Sequence, residues 1–563
     1  MEWLAGILNK YPELAVFLAL GIGYWIGAIK IGGIGLGPVT GSLFAGLAMG
    51  AFFPVPVSAP AKSLLFLLFL FGIGYSVGPQ FFRAMKGDGL RWGALGVFCA
   101  LVGLGASVVV ARLLHLDAGY AGGLLSGALT ESPAIGTAVE AIQALPLDEA
   151  TRQRLASHVA IGDAVCYVFG AIGVIFFVSQ IGPRLLGLDL TRESRRLEAA
   201  LGMERKTPGV MSAWTQFGVR AYRVAADGRA VDKTVGVAEG MVPDARLFIL
   251  RLRRGGTIID ARSDTVLQAG DIVAVSGRRE TLLDVLGRNA NEVEDRDLLD
   301  IPIGAFDVYL TNKRFAGPTL AAIVETEPSM RGVFVRYIRR GDQQIPIAPG
   351  TVLQRGDMLR LVGSEPAARR AATLLGVVVF PSDTTDMVTL GLGIVAGAIV
   401  GILVVIPIGE LRIQIGTSVG TLLAGLVVGW LYSVRPLFGR IPDAAISFMT
   451  AIGLAGFIAM IGLSAGPHFI EGVREVGVGL VLGGIVVTLL PQVAGLYFGW
   501  YVLKLEPLLV LGGLAGAQTM TAGLAALQER SDSPVAVLGY SGTVAIAHIL
   551  LTTWGTVIVW LTT

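Results

Sequence analysis

Two stretches decide how this chain folds: GLLSGALTESPAIGTAVEAI at residues 123–142 and LGGLAGAQTMTAGLAALQE at residues 511–529. Each is apolar enough to enter a bilayer, and each is interrupted at its centre by Gly, Ser, Thr, Gln or Pro. A straight crossing takes about 20 consecutive apolar residues. Irregular backbone at that depth survives only where protein or a water-filled cavity satisfies its polar groups, so the interruptions predict re-entrant or broken helices. Gly127, Ala128 and Thr130 of the first stretch recur as Gly516, Ala517 and Thr519 of the second, an offset of 389. A matched pair of this kind in two halves of a chain points to a binding site between them.

The register extends outward. Gly74, Ser76, Gly78, Pro79 and Phe81 recur as Gly462, Ser464, Gly466, Pro467 and Phe469 at an offset of 388, and Gly37, Gly41, Ala45 and Gly46 as Gly416, Gly420, Ala424 and Gly425 at 379. Six apolar segments (12–29, 38–53, 62–77, 91–114, 119–142, 157–182) are followed by six more (388–405, 413–432, 445–463, 475–500, 508–528, 534–561). Of the 563 residues 53% are hydrophobic and 15% charged, against about a quarter charged in soluble domains. Most of the charge lies between Arg184 and Asp386, so the chain reads apolar, polar, apolar. The net charge of +2, without a long run of one sign, gives no footprint for nucleic acid. Cys99 and Cys166 stand in apolar stretches without C-x-x-C spacing, which indicates neither a disulfide framework nor a metal site.

Topology follows from the basic residues, with the insert placed in the cytoplasm. Six crossings in the first half would leave Lys30, Arg83, Lys86, Arg91, Arg152 and Arg154 outside. Five crossings and a re-entrant fifth segment bring Lys30, Arg83, Lys86 and Arg91 inside. In the second half the same assumption brings Arg435, Arg440, Lys504 and Arg530 inside and leaves Arg412 and Arg474 outside. An odd number of crossings inverts the second half relative to the first, as in many secondary transporters.

The insert carries its own duplication. Thr265, Val266, Leu267, Gln268, Gly270 and Asp271 recur as Thr351, Val352, Leu353, Gln354, Gly356 and Asp357, an offset of 86. RLFILRL, DIVAVSG, GVFVRYI and DMLRLVG have the β-branched, partly alternating pattern of strands, with LLDVLG and AARRAATLLG as short helices. Two small α/β modules are expected.

At the paired GPxF motifs, the GALTESP and GAQTMT segments and the doubled TVLQxGD, nearly the whole chain resembles the aspartate:alanine exchanger family of secondary transporters. Its soluble modules are similar to the TrkA-C, or RCK-C, domain of potassium-channel regulators. The resemblance implies an α-helical polytopic membrane protein with inverted repeats and an α/β cytoplasmic insert: membrane repeat 1 at 1–183, RCK-C-like modules at 205–293 and 300–378, and membrane repeat 2 at 386–563. It implies a multi-pass antiporter of the bacterial inner membrane that exchanges aspartate for alanine by alternating access. The exchange would be electrogenic and coupled to a separate decarboxylase; relatives handle succinate-like dicarboxylates. A homodimer is expected. An RCK-regulated ion channel is a weaker reading, because no T-V-G-Y-G-type filter occurs. An enzyme is weaker still: no nucleophile and base set, metal cluster or cofactor loop is present, so no cofactor is expected.

A carboxylate entering a low-dielectric site needs hydroxyls, backbone N–H groups, helix N-termini or a cation. Thr130, Ser132 and Thr137, and Gln518, Thr519 and Thr521, supply polar groups at the two breaks. Each could instead bond across packed helices. The candidate substrate site is Thr130, Glu131, Ser132, Pro133, Gln518, Thr519 and Thr521. Glu131 could meet a substrate ammonium group or carry a proton, since an intramembrane acid is a functional hypothesis by default. Asp163 could serve a charge role or pair with His158 or Arg154. Arg83, in a short basic loop with Lys86, could draw an anionic substrate to the mouth or act as a topological anchor. Isolated His468 and His548 are read as structure. In the insert, Arg251, Arg253, Arg254 and Arg336, Arg339, Arg340 could bind a small anionic effector or form solvated strand ends.

Overall fold

The computed structural model describes residues 2–31, 34–35, 37–53, 55–85, 89–203, 217–241, 247–278, 282, 291–341, 343–379, 384–408, 411–434 and 439–563. Lys86, Arg435 and most of LLDVLG lie outside these. The chain forms two compact units: Met1–Leu197 with Arg340–Ile345 and Ser382–Thr563, and Glu198–Arg339 with Pro346–Pro381.

The first unit is helical. Its first half comprises α1 (Glu2–Lys10), α2 (Pro12–Ala28), α3 (Pro38–Phe52), α4 (Ala59–Ala84), α5 (Gly89–Leu113), α6 (Ala118–Ala128), α7 (Pro133–Gln143) and α8 (Glu149–Phe176), which continues through a π-turn at Phe177–Ile181; α9 (Leu190–Leu201) follows. The second half comprises α10 (Met387–Leu403), α11 (Gly416–Val434), α12 (Asp443–Ala465), α13 (Phe469–Tyr497), α14 (Pro507–Ala517), α15 (Thr521–Ser531) and α16 (Val537–Thr562). Six helical runs among the described residues are long and apolar enough to cross a bilayer: α4, α5, α8 to Leu185, α11, Asp443–Val502 holding α12 and α13, and α16. The duplication reaches small details. Antiparallel ribbons β1 (Lys30–Ile31) and β2 (Ile34–Gly35) precede α3, and another such ribbon precedes α11.

The glycine motifs shared by the two halves are where the halves meet. A Cβ on Gly46 or Gly50 of α3 would lie 2.5 Å from Ala459 O or 2.2 Å from Leu463 O of α12, and one on Gly462 would lie 2.7 Å from Leu43 O. Gly74 and Gly78 of α4 sit equally close to Leu422 O and Leu426 O of α11. Pro79 inside α4 has no N–H for Tyr75 O, and Gly429 of α11 packs on that carbonyl, where a Cβ would stand only 2.0 Å away. Small residues thus let backbones touch where lipid supplies no hydrophobic drive between helices.

The insert holds two sheets of matching topology. Strands β3 (Phe217–Arg223), β4 (Phe248–Arg254), β5 (Thr257–Asp260), β6 (Ile272–Arg278) and β7 (Asn291–Glu292) order as β5-β4-β6-β3-β7; β8 (Ile303–Leu310), β9 (Val333–Arg340), β10 (Gln343–Ile345), β11 (Met358–Ser364) and β12 (Gly376–Val379) order as β10-β9-β11-β8-β12. The repeated Gln-x-Gly-Asp turn is the same object twice. Asp271 Oδ2 accepts Gln268 N–H at 2.8 Å, and Asp357 Oδ2 accepts Gln354 N–H at 2.8 Å. Gly270 and Gly356 take φ of 89° and 84°, which only glycine adopts without strain. The helix expected at AARRAATLLG runs Glu365–Leu375.

Candidate functional site

The two interruptions are helix ends built to one plan. At the end of α6, Glu131 N–H bonds Ser126 O at 2.9 Å and Thr130 N–H bonds Gly127 O at 3.1 Å; at the end of α14, Met520 N–H bonds Ala515 O at 2.9 Å and Thr519 N–H bonds Gly516 O at 3.0 Å. This pair of bonds is the Schellman termination, whose left-handed position is usually glycine. Here threonine occupies it both times, Thr130 at φ 56° and Thr519 at φ 53°. A β-branched residue in that region is a true outlier. Pro133 then opens α7, its ring preventing the helix from running on. The second break has Ala522 at the matching position and forms without proline.

The tips touch. Thr130 Oγ1 donates to Gln518 O at 2.5 Å, and Thr519 Oγ1 lies 3.3 Å from Thr130 O and 3.0 Å from Glu131 Oε2. Glu131 is fully buried. Its other oxygen accepts Thr552 Oγ1 at 3.0 Å and stands 3.3 Å from His548 Nδ1, both on α16. Behind the tips Thr488 of α13 donates to Ala128 O at 2.8 Å, and Gln518 Nε2 donates to Thr488 O at 3.0 Å. Thr137 Oγ1 donates to Thr552 O at 2.6 Å, tying α7 to α16.

The ends of each hairpin locate it. Asp117, capping α6, lies 2.6 Å from His158 Nδ1 in the early turns of α8, and Gln143 O at the end of α7 accepts from Arg152. The α6–α7 hairpin therefore begins and ends beside the start of α8. The α14–α15 hairpin begins and ends beside the segment after α8: Arg196 pairs with Glu506, and Ser194 Oγ donates to Ser531 O at 2.8 Å.

Most of the sequence candidates gather at the tips, but not all. Ser132 and Pro133 are buried at the α7 start, and Thr521 Oγ1 lies 3.1 Å from Tyr540 OH. Arg83 stands on the last turn of α4, its Nε bonded to Pro79 O at 3.0 Å. Asp163 accepts Ser126 Oγ at 2.7 Å. Of the two bases that Asp163 could have paired with, His158 pairs instead with Asp117 and stacks on Tyr120 at 4.1 Å. Residues five apart on a helix point about 140° away from each other, and Arg154, nine away, points to the opposite side. His548, read as structure, stands against the buried Glu131, and its helical neighbour Thr552 shares the contact. The signal for both was their spacing of four on one face of an apolar helix.

A cavity of about 1450 Å³ lies beside the far end of α7, with Lys62, Glu140, Arg154, His158, Arg474 and Glu475 among its walls. Gly136 and Phe66 also line it, the Phe66 ring stacking on Phe457 at 4.3 Å. Glu131 is not among the residues that line it. Among the described residues no cluster of His, Cys, Asp and Glu is arranged to hold a metal.

The family model described as Predicted Permease Membrane Region matches residues 15–183 and 389–560, the two helical halves that carry the hairpins. The chain belongs to the aspartate:alanine exchanger family of permeases. The TrkA-C domain model matches residues 219–287, the first insert sheet. This permease is 51% identical over 517 residues to an uncharacterized transporter of Bradyrhizobium diazoefficiens, covering 92% of this chain and 100% of that one. It is 40% identical to an uncharacterized transporter of Bordetella bronchiseptica, over 99% of this chain and 98% of the relative. A Shewanella oneidensis uncharacterized transporter is 37% identical over 99% of each chain. No solved structure matches. The permease is a multi-pass membrane transporter with a soluble TrkA-C domain.

Proposed function

We propose that this permease exchanges aspartate for alanine across a bacterial inner membrane, by alternating access around the two hairpin tips, with the insert in the cytoplasm. The observation that carries the reading is the meeting of Thr130 and Glu131 with Gln518 and Thr519 at the break of both hairpins. If α8 crosses the bilayer, hairpins anchored at its two ends enter from opposite faces, so the halves are inverted and the tips lie at mid-depth. The α7 and α15 N-termini carry partial positive charge and present Ser132 and Thr521, which suits substrate carboxylates. Glu131 faces the ammonium side or carries a proton. Arg83 draws anions toward one mouth, and Asp163 holds α6 against α8.

Aspartate carries one net negative charge and alanine none, so one-for-one exchange moves charge. A separate soluble decarboxylase converting aspartate to alanine consumes a proton inside, and the two steps together add to the proton-motive force.

Counterflow in proteoliposomes tests this. Vesicles loaded with alanine should take up labelled aspartate and develop a membrane potential, and Glu131→Gln should alter uptake across pH. Labelled aspartate entering only against internal succinate would overturn the aspartate:alanine assignment in favour of a dicarboxylate exchanger. Kinetics unchanged by Glu131→Gln at every pH would remove that residue from the site.

A further inference from the structure

Gln518 and Gln492 form two rungs between α14 and α13. Gln518 Nε2 donates to Thr488 O at 3.0 Å, and Gln492 Nε2 donates to Leu514 O at 3.2 Å. Both residues are 1% exposed, and among the described residues the Oε1 of each has no hydrogen-bond partner. Turning either amide over would set its oxygen against a carbonyl oxygen, so the bonded carbonyls dictate which way each amide faces. Buried acceptors left unmet are rare enough to need a reason.

Packing does not supply one. At the offset of 389, Gln518 corresponds to Leu129 and Gln492 to Gly103. The first half closes the same gap with hydrocarbon: the Leu129 side chain lies 2.9 Å from where a Cβ on Gly103 would stand. The amides are therefore specific to one half of a duplicated fold.

What surrounds them is rich in negative charge. The C-terminal ends of α6 and α14 converge here, each with the partial negative charge of a helix end, and the Glu131 carboxylate lies on the same tip. Acceptor oxygens without donors suit a cationic group. The substrate class proposed above carries one, its α-ammonium, while its carboxylates suit the opposite, N-terminal ends of α7 and α15.

We propose that Gln518 Oε1, backed by Gln492, accepts the α-ammonium group of the substrate, so that the tips select α-amino acids over dicarboxylates that lack an amino group. This rests on the carboxylate-exchange reading and narrows it. A site built to bond a polar group rejects an analogue without it strongly, because its own buried groups are then left unpaired.

Competition against labelled aspartate in alanine-loaded proteoliposomes tests this, with unlabelled aspartate and succinate as competitors on the full-length protein. The wild type should prefer aspartate by about a hundredfold or more, and Gln518→Leu, which copies the residue at the matching position of the first half, should cut that preference at least about tenfold. Equal competition by succinate on the wild type overturns the proposal whether or not the variant folds. A sodium requirement abolished by Gln518→Leu with the preference intact also overturns it, and assigns the oxygens to an alkali cation. If the wild type moves no carboxylate at all, the transport reading itself fails, and this one with it.

Discussion

Glu140, at the far end of α7, accepts the N–H of Thr417 at 2.7 Å on its Oε1, and that of Ser418 at 3.1 Å on its Oε2. The Thr417 hydroxyl bonds the same Oε1. A carboxylate of the first hairpin thus caps the first turn of α11 in the other half, meeting both the orphan donors and the positive end of a 19-residue helix. At the matching positions of the second hairpin, Glu529 is exposed and Pro38 stands in place of Thr417, without an N–H. The clasp is one-sided.

Glu140→Ala should therefore destabilise the protein by about 1–2 kcal/mol, the cost of losing an N-terminal cap, and Glu140→Gln by less, since its amide oxygen still accepts. Thermal unfolding of the purified protein in detergent reads this. Equal melting temperatures for Glu140→Ala and the wild type would mean that the clasp contributes nothing.

Threonine at two left-handed positions is a local strain of about 1–2 kcal/mol each, and each hydroxyl bonds across the tips. Thr130→Gly and Thr519→Gly remove the strain together with the bond, worth about 1 kcal/mol. Melting temperatures should stay level or rise while exchange falls about tenfold or more. Thr130→Ala, which keeps the strain and loses the bond, should be the least stable of the three. Full exchange by both glycine variants would show that the hydroxyls serve packing alone.

A Cβ on Gly136 would lie 2.2 Å from the Phe66 ring. Gly136→Ala should cost about 1–3 kcal/mol by overpacking and lower uptake by disturbing the wall of the cavity. Phe66→Leu in the same molecule should recover part of the loss. Failure of the double variant to improve on the single would place the clash elsewhere.

Asp386, just before α10, is held down to about 2 by the Thr389 hydroxyl, the Thr389 N–H and the Gly439 N–H. A depressed carboxylate contributes stability that is complete above its unfolded value near 4 and is lost as pH falls through about 2. The melting-temperature gap between wild type and Asp386→Asn should be constant above about pH 5 and close on acidification. A gap that widens toward low pH would contradict this assignment.

The residues that end α6 and α14 were legible because helix termination is local: Gly127 with Thr130 and Gly516 with Thr519 share one offset, and Pro133 cannot continue a helix. The apolar runs and the doubled Thr-Val-Leu-Gln-x-Gly-Asp were legible for the same reason, since period, turn chemistry and hydropathy are properties of a few neighbouring residues. Tertiary structure alone decided which of these residues meet. Glu131 and His548 lie 417 positions apart, and neither hydropathy nor spacing says that α16 runs past the first tip. His158 and Arg154 stand near Asp163 in the chain as possible partners, whereas the helix turns them away and hands Asp163 to Ser126. Gln492 stood unremarked in an apolar segment, because an amide becomes conspicuous only when folding buries it and leaves one of its oxygens without a donor.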